Sequence, residues 1–353
     1  MEGPRKFVWD TTYACPLRCV HCYSESGRRA SRQLAPVTML RVADKIIEAG
    51  PELVMLSGGE PVLVPGILDV ARRLADAGID VGVYTSGWSM SPALAEDLAS
   101  VVSMLAVSLD GATAEVHDRV RGRPGSFDRA LRTLAMLDEV AERRPFTFGV
   151  DCSVLRSNLH QLDALCTDVV RRFPRLGFAY FGPVVPSGVA SRAGFAETEL
   201  LTEDQWRELA GTDRLTRLRS LVGPAVAVRV NDNLDLQMRP GRADDWSTYG
   251  AVQIEPDGNV RAMSMYEGTI GNILTDPPAV LWERALARWH DPFVVETLTA
   301  VRTPAEWAAA ARRIDERFGT AEDRRRFARR AGGRRPGDQI MDVPPPIGTP
   351  RTA

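Results

Sequence analysis

The stretch ACPLRCVHCY, residues 14–23, places Cys15, Cys19 and Cys22 at spacings of four and three. The whole chain of 353 residues contains only five cysteines, so the composition alone does not produce this cluster. The stretch directly follows the β-rich run FVWDTT, and it is therefore predicted to form the loop after the first strand.

Three thiols in one loop can serve three purposes. A [4Fe–4S] cluster held by three thiolates keeps one iron open for a substrate or a cofactor. A structural zinc site needs a fourth ligand, and His21 is awkwardly placed for that because it lies between two of the cysteines. Cysteines that only fill a core would be scattered along the chain. The spacing favours the cluster over zinc, and zinc over simple packing.

From Phe7 to about Phe181, β-rich runs alternate with segments whose apolar residues recur at helical spacing. One of these helices is predicted to begin after Ser126 as its N-cap. The β-rich runs are FVWDTT, LVML, VGVYT, MLAVSL, FTFGVDCSVL and LGFAYF. Because strands that alternate with helices form parallel sheets, the sequence predicts an α/β fold of six such units. The pattern does not choose between an open sheet and a partial barrel.

The pattern changes after Gly188. Residues 202–205 are predicted to form a capping box at the start of a helix, and VQIEPDGNVRAM a hairpin that turns at residues 257–258. The arginine-rich segment 324–335 is interpreted as a solvated helix end rather than a binding patch. The tail VPPPIGTPRTA is too rich in proline and glycine to pack, and we expect it to be disordered.

The composition excludes several classes of function. The chain is 44% hydrophobic and 25% charged with a net charge of −2, which argues against binding to nucleic acid or to a membrane surface. No apolar run approaches the roughly 20 residues needed to span a bilayer. Five cysteines do not make a disulfide framework in a chain of this length, so a cytoplasmic location is expected.

Polar motifs follow the second and fourth predicted strands: SGGEP at residues 57–61 and SLDG at residues 108–111. Side chains alternate between the two faces of a strand, so Ser108 and Asp110 share a face that Leu109 does not. In FTFGVDCSVL the same alternation separates Asp151 and Ser153 from Cys152, and we assign the polar face to the side of the sheet away from the helices, because burial of an aspartate among helices is costly. Cys152 and Cys166 are predicted core residues.

These motifs together resemble the radical S-adenosylmethionine (radical SAM) superfamily: CxxxCxxC after the first strand, GGE after the second and SLDG at the fourth. The C-terminal third, with its PDG hairpin, GNI turn and helix, resembles the SPASM or twitch extension of that family. The resemblance implies a partial (β/α)6 barrel at residues 1–188 and a SPASM/twitch-like α+β extension at 189–318. An arginine-rich helix end and a tail would follow at 319–353.

The resemblance also implies a cofactor set and site residues. The open iron of a [4Fe–4S] cluster would chelate SAM, and one electron would cleave SAM to methionine and a 5′-deoxyadenosyl radical that abstracts hydrogen from the substrate. Asp151 would contact SAM or substrate and is the further catalytic candidate, and Arg121 is a candidate to neutralise a carboxylate. The cluster ligands would be Cys15, Cys19 and Cys22, and the SAM contacts His21, Tyr23, Gly58, Gly59, Glu60, Pro61, Ser108, Asp110, Arg121 and Ser153.

No cysteine follows Cys166, whereas the resembled extension carries cysteines for auxiliary clusters. We therefore expect one cluster and a redox-neutral outcome, such as epimerisation, rearrangement or carbon–carbon bond formation. An epimerase would need a hydrogen donor, and Cys152 is the candidate if the assignment of strand faces is reversed.

The expected partners are a substrate and an electron donor such as flavodoxin or ferredoxin, with no nucleic acid and no membrane. The chain begins close to its first strand, which favours a small natural-product intermediate such as a sugar or nucleoside over a ribosomal peptide that needs a leader-binding domain. The segment 184–201 and the strand with Arg229, Asp232 and Asp235 are expected to close the barrel mouth. A non-catalytic iron–sulfur or zinc protein is the alternative of another class.

Overall fold

The first two strands along the chain, β1 (Lys6–Asp10) and β2 (Leu53–Ser57), pair in the interior of the sheet, with Asp10 opposite Ser57. The computed structural model describes residues 3–231 and 251–331. Within these ranges there is one ten-stranded sheet of order β10-β9-β8-β1-β2-β3-β4-β5-β6-β7. The further strands are β3 (Asp80–Thr85), β4 (Met104–Ser108), β5 (Thr147–Val154), β6 (Phe178–Pro183), β7 (Ala227–Val230), β8 (Ala251–Ile254), β9 (Asn259–Arg261) and β10 (Thr269–Asn272).

The strands β1 to β7 pair in parallel, each with the next along the chain. Their carboxyl ends therefore meet at one edge of the sheet, which is where the predicted motifs lie. β8 pairs in parallel with the outer side of β1, and β9 and β10 follow it antiparallel. The predicted six βα units and the hairpin at residues 257–258 are thus confirmed. The domain boundary after residue 188 stays a prediction, because β7 and β8 extend the same sheet.

The α-helices cover the sheet and connect its strands. They are α1 (Pro36–Ala49), α2 (Ile67–Asp76), α3 (Pro92–Ala99), α4 (Ala114–Arg121), α5 (Ser126–Arg143), α6 (Leu162–Ala164), α7 (Phe195–Thr198), α8 (Glu203–Ala210), α9 (Thr212–Val222), α10 (Pro278–Trp289), α11 (Pro292–Thr299), α12 (Pro304–Phe318) and α13 (Ala321–Ala331). Short 3₁₀ turns cover Pro61–Leu63, Leu159–Gln161, Val170–Arg172 and Gly188–Ser191, and a π turn covers Leu165–Val169. None of the helices that the structure describes is long and apolar enough to cross a bilayer.

The alternation predicted for β4 and β5 is confirmed by their packing. Leu105, Val107 and Leu109 are buried in the main hydrophobic core, as are Val150 and Cys152. Ser108, Asp151 and Ser153, on the other face, are only half-buried. Each fully buried aliphatic side chain stabilises the fold by about 1.5–3 kcal/mol relative to an exposed one, so the register of both strands is strongly specified.

Helix starts follow the predicted capping chemistry with one correction. α8 begins with the predicted capping box, in which Thr202 and Gln205 exchange hydrogen bonds. α5, however, has Gly125 as its N-cap and Ser126 as its first residue. The Asp118 carboxylate accepts from Phe127 N at 2.8 Å and therefore supplies the cap that Ser126 was expected to provide.

The arginine-rich helix α13 is not a fully solvated helix end. The side chains of Arg326 and Arg330 are each only 7% exposed. Both guanidinium groups donate to Glu25 and Glu267, so this part of the prediction is wrong because buried carboxylates hold the two arginines. The predicted roles of Asp232 and Asp235 and the predicted tail lie outside the described residues.

Candidate functional site

The loop that carries the cysteines runs alongside the loop after β2. Gly59 N donates to the Thr12 carbonyl at 2.7 Å, and Glu60 N donates to the Ala14 carbonyl at 2.9 Å. These bonds extend the β1–β2 pairing beyond the strands. The SGGEP motif therefore fixes the backbone that leads into Cys15.

Gly58 and Gly59 are needed because the two loops approach so closely. A Cβ on Gly59 would lie 2.0 Å from the Ala14 carbonyl oxygen, and a Cβ on Gly58 would lie 2.5 Å from that of Thr12. Gly58 also has φ +115°, a conformation that favours glycine. The sequence assigned these glycines to the approach of a ligand, whereas the structure shows the approach of the cysteine loop itself.

The far side of the cysteine loop is held by two other elements. Arg18 N donates to the Arg121 carbonyl at the end of α4, at 3.0 Å. Val189 N, in the segment 184–201, donates to the Cys22 carbonyl at 2.9 Å. That segment was expected to close the barrel mouth over substrate, and the structure places it against the cysteine loop. The loop is thus fixed on both sides by backbone hydrogen bonds.

The three thiols are half-buried and close enough to influence one another. Burial raises the pKa of Cys15 well above its ordinary value, and the neighbouring Cys19 and Glu60 raise it further. Burial raises the pKa of Cys19 to about 11, although the charge of Arg121 opposes this. Cys15 and Cys19 are therefore protonated at neutral pH when no metal is bound.

Arg121 and Asp110 form a buried ion pair beside Cys19. Arg121 Nη2 donates to Asp110 Oδ1 at 2.9 Å, and Nε lies 2.6 Å from Oδ2, close enough for an ion pair but without the alignment of a hydrogen bond. Arg121 Nη1 lies 3.9 Å from Cys19 Sγ. Arg121 thus neutralises the Asp110 carboxylate and also brings positive charge to one of the thiols, while its predicted contact with SAM stays a prediction.

Asp110 does not offer an open carboxylate to a ribose. It is 0% exposed, and its Oδ1 also accepts from Ser153 N at 2.9 Å. Asn158 Nδ2 donates to the Asp110 carbonyl at 2.8 Å and ties this turn to the end of β5. Arg121 and β5 thus hold the Asp110 side chain in this structure, and its predicted ribose contact stays a prediction. The half-exposed Ser108 and Ser153 stay predicted SAM contacts.

Glu60 is also fully buried. Its carboxylate accepts from Thr85 Oγ1 at 2.7 Å and from Ser86 N at 2.9 Å, and the Ser86 hydroxyl donates to it as well. Burial raises the pKa of Glu60, while the hydrogen bonds from Ser86 and Thr85 oppose the increase. These donors hold the Glu60 carboxylate at the start of the loop after β2. Pro61 starts the short 3₁₀ turn beside it and is buried.

His21 and Tyr23 flank Cys22 in different environments. The His21 Nδ1 atom is buried and has no hydrogen-bond partner among the described residues. Burial and then the charge of Arg121 lower its pKa well below the ordinary value, so the ring is neutral. The Tyr23 hydroxyl donates to Asp10 Oδ1 at 2.6 Å, which anchors the residue at the end of β1.

Asp151 lies opposite Ser108 on the lumen face of β5. Burial raises its pKa to about 6, and Asp110 raises it further, while Arg121 and Lys6 oppose the shift. A carboxyl group with this pKa can exchange a proton near neutral pH. Cys152 is 1% exposed on the opposite face, which removes it as a candidate hydrogen donor. Cys166 is a buried core residue, as predicted.

The sequence analysis did not predict a buried polar network at the ends of β1 and β8. Asp10 accepts from Gln253 Nε2 at 2.5 Å and from the Tyr23 hydroxyl, and both Asp10 and Gln253 are 0% exposed. Burial raises the pKa of Asp10 to about 6 against these hydrogen bonds. Asp10 could have been singled out, because it is a polar residue at the carboxyl end of a parallel strand, where site residues gather. Its contact with Gln253 could not be predicted locally, because the two residues are 243 positions apart in the chain.

The donor set fits a cluster with three cysteine ligands. Among residues 3–231 and 251–331, no three histidine, cysteine or acidic side chains are already gathered at coordination distance. The loop nevertheless offers three thiol sulfurs on a backbone fixed from two sides, with a guanidinium beside one of them. Three soft sulfur ligands suit an iron–sulfur cluster better than they suit a closed zinc site, which would need a fourth ligand.

Comparison with known sequences agrees with this interpretation. Residues 9–149 match the model of the Radical SAM superfamily. The AdoMet-dependent heme synthase of Methanosarcina barkeri is 37% identical over 163 residues, which are 46% of this chain and 46% of that protein. The mycofactocin maturase MftC of Mycobacterium tuberculosis is 35% identical over 170 residues, which are 47% of this chain and 42% of that protein. The chain thus spans about half the length of these curated relatives.

Comparison of structures shows the fold. The crystal structure of Streptococcus suis SuiB bound to S-adenosylmethionine has a TM-score of 0.66 at 15% identity, covering 83% of this chain and 68% of SuiB. SuiB bound to its precursor peptide SuiA has a TM-score of 0.60 at 14% identity, covering 87% of this chain and 71% of SuiB. The predicted α/β fold, a partial barrel with a C-terminal α+β extension, is therefore confirmed.

Proposed function

Residues 9–149 form a domain of the Radical SAM superfamily, and we propose on that premise that the chain is a SAM-cleaving radical enzyme with a single cluster. Its proposed substrate is a natural-product intermediate such as a sugar or nucleoside. The proposed outcome is redox-neutral, for example an epimerisation, a rearrangement or the formation of a carbon–carbon bond.

The observation that carries this proposal is the cysteine loop. Cys15, Cys19 and Cys22 lie half-buried at the carboxyl edge of a parallel sheet, on a backbone fixed by the loop after β2 and by α4. When bound there, a [4Fe–4S] cluster supplies one electron for cleavage of the carbon–sulfur bond of SAM. The three cysteines offer no fourth ligand for a closed zinc site, which disfavours a purely structural zinc protein.

The residues around the loop have distinct proposed roles. Arg121 places positive charge beside Cys19 and is itself positioned by Asp110. Ser108 and Ser153 present half-exposed hydroxyl groups on the lumen face, where they can bind SAM. Asp151 lies opposite Ser108 on the same face and has a pKa of about 6, so it can hold or release a proton at the substrate.

The C-terminal extension supports a single cluster. The positions after the hairpin, where the resembled extension places a cysteine, carry Ala262 and Met263, which are 2% and 3% exposed. Next to them, Arg261 Nη2 contacts Glu255 Oε1 at 2.6 Å and Glu267 Oε2 at 3.1 Å. Apolar side chains and ion pairs thus fill this region. Without a second cluster to accept an electron from a product radical, a redox-neutral reaction is favoured.

Anaerobic reconstitution with iron and sulfide tests the proposal. We expect about four irons per chain and release of 5′-deoxyadenosine when dithionite and SAM are added. Cys15→Ala, Cys19→Ala and Cys22→Ala should each lose both properties, and Cys166→Ala should keep both. Purified protein that holds zinc, or that holds iron and leaves SAM intact, would contradict the proposal.

Peptide modification is a second candidate, because MftC is a maturase by name and SuiB has been solved with its precursor peptide SuiA. An extract fraction that stimulates 5′-deoxyadenosine release distinguishes the two candidates. If protease treatment abolishes the stimulation, the substrate is a peptide. If the stimulation survives protease and passes a small-pore membrane, the substrate is a small molecule.

A further inference from the structure

Four arginines surround the cysteine loop and are not used by the proposed chemistry. They come from three parts of the chain: the loop itself, the turn after α4 and the segment after β6. They are Arg18, Arg28, Arg123 and Arg192, and we call them the loop arginines.

Each loop arginine donates to a backbone carbonyl of residues 15–20. Arg18 Nη1 donates to the Cys15 carbonyl at 3.0 Å, and Arg28 donates to the Arg18 carbonyl. Arg123 Nη1 reaches the Pro16 carbonyl at 3.0 Å, and Arg192 Nη1 the Val20 carbonyl at 2.7 Å. Their guanidinium groups are therefore held at the loop, unlike those of freely moving surface side chains.

None of the loop arginines forms an ion pair with a carboxylate among the residues that the structure describes. Arg32, a few residues farther along, contrasts with them because it pairs with Asp257 and Glu322. Arg18 and Arg123 donate to the carbonyls of Cys15 and Pro16, which are consecutive residues, so these two guanidinium groups lie at the same part of the loop.

We propose that the loop arginines form the docking surface for an acidic protein electron carrier that reduces the cluster site. The inference rests on the proposed function, because only a redox site needs such a partner. The protein has a net charge of −2, so this positive surface is a local feature that can steer an acidic partner to the cysteine loop. Docking forms no covalent bond, and each encounter moves one electron from the carrier to the protein.

The position of the surface favours an electron carrier over other acidic partners. The guanidinium groups bind the same backbone that carries the half-buried thiols, so a docked carrier would lie directly over the cluster ligands. This position matters to a partner that delivers an electron, because the electron must reach the site of the thiols. Arg123 also stacks on Trp88, with 4.5 Å from its Cζ atom to the ring centroid, which gives the surface an apolar contact.

The test uses the reconstituted full chain and two matched double variants. R28Q/R123Q removes the charge of two loop arginines and keeps a polar N–H group on each side chain. R41Q/R72Q makes the same change on the exposed faces of α1 and α2. Stopped-flow absorbance measures the rate at which reduced flavodoxin, an acidic carrier, bleaches the cluster at low salt and at about 0.5 M salt.

We expect R28Q/R123Q to be reduced about tenfold more slowly than wild type at low salt, with the difference closing at high salt. R41Q/R72Q should stay within about twofold of wild type, because its lost charges lie away from the loop. Iron content and dithionite-driven release of 5′-deoxyadenosine should be the same in all three proteins. Equal flavodoxin rates in both double variants would overturn the proposal.

Two further outcomes would also overturn it. If R28Q/R123Q loses iron, the loop arginines only shape the loop. If a single-stranded DNA oligomer binds the wild type as tightly as oxidised flavodoxin does at equal salt, the surface attracts any polyanion. Failure of the proposed function is distinguishable, because wild type would then release no 5′-deoxyadenosine even with excess dithionite, while salt-dependent flavodoxin binding would still decide the docking question.

Discussion

Gly59 leaves no room for any side chain, because its Cβ would lie 2.0 Å from the Ala14 carbonyl oxygen. We expect Gly59→Ala to separate the two loops, to cost about 2 kcal/mol of unfolding free energy and to lower iron binding. Gly177→Ala is the matched control, since its Cβ would meet nothing closer than 3.4 Å. Urea unfolding and iron analysis measure both effects. If Gly59→Ala binds iron like wild type, the glycine does not shape the cysteine loop.

Asp151 should make stability depend on pH. Its pKa rises from 3.8 to about 6 on folding, chiefly through burial, so the folded state holds the proton more tightly than the unfolded state. The unfolding free energy should therefore fall as pH rises from about 4 to about 6, and Asp151→Asn should remove about 1–3 kcal/mol of that fall. Urea unfolding at several pH values tests this, with the exposed Asp97→Asn as control. Parallel curves for wild type and Asp151→Asn would contradict it.

At the residue scale, the sequence predicts which way a strand residue faces but not what its side chain touches. The alternation in β4 and β5 assigned Cys152 to the core and Ser153 to the lumen, and the packing agrees. It did not predict that Asp110 pairs with Arg121, because the sequence pattern is identical whether a carboxylate at a strand end binds a ligand or a guanidinium group. Partners of that kind depend on distances between elements.

At the scale of elements, helix α13 holds the exit of the cysteine loop, a role that its arginine-rich composition did not predict. Arg330 Nε donates to Glu25 Oε1 at 2.9 Å, and Glu25 follows Cys22 by three residues. Glu25 has φ +55°, and among the described residues no other non-glycine has a positive φ. The arginines of α13 thus hold a strained turn at the exit of the loop.

Removing one of these arginines should leave the buried carboxylates of Glu25 and Glu267 with one positive partner fewer. We expect Arg330→Met to cost about 3 kcal/mol of unfolding free energy and to speed hydrogen exchange in residues 24–28. Arg325→Met makes the same change at an exposed position of the same helix and should have little effect. Hydrogen exchange with mass spectrometry measures the loop directly. Unchanged exchange in Arg330→Met would show that α13 does not hold the turn.

The β8–β9 hairpin illustrates what an element's sequence can predict. The turn at residues 257–258 was correct because Asp-Gly favours a tight turn locally, and Gly258 has φ +85°. The pairing of β8 with β1 was not predictable, since it joins strands about 245 residues apart through hydrogen bonds that any backbone can make.

For the whole molecule, the fold class followed from the alternation of strands and helices, whereas the sheet order did not. Six parallel units are specified by local pattern and by right-handed crossovers. The addition of β7 at one edge and of β8 beside β1 depends on contacts far apart in the chain. A curved sheet extended at both edges carries no signature in hydrophobic periodicity, because its strands look the same at either edge.

The continuous sheet predicts cooperative unfolding. β8 binds β1 along four residue pairs, so the C-terminal extension shares backbone hydrogen bonds with the first strand. We expect one urea transition, with the same midpoint by tryptophan fluorescence and by far-ultraviolet circular dichroism. Two separated midpoints would instead show that the extension unfolds by itself.

The contact between Arg330 and Glu25 spans 305 positions of the chain. A ribosome therefore makes the cysteine loop some three hundred codons before the arginine that holds its exit turn. The turn gains this ion pair only once α13 has been synthesised, so the final setting of the thiols depends on a late segment of the chain.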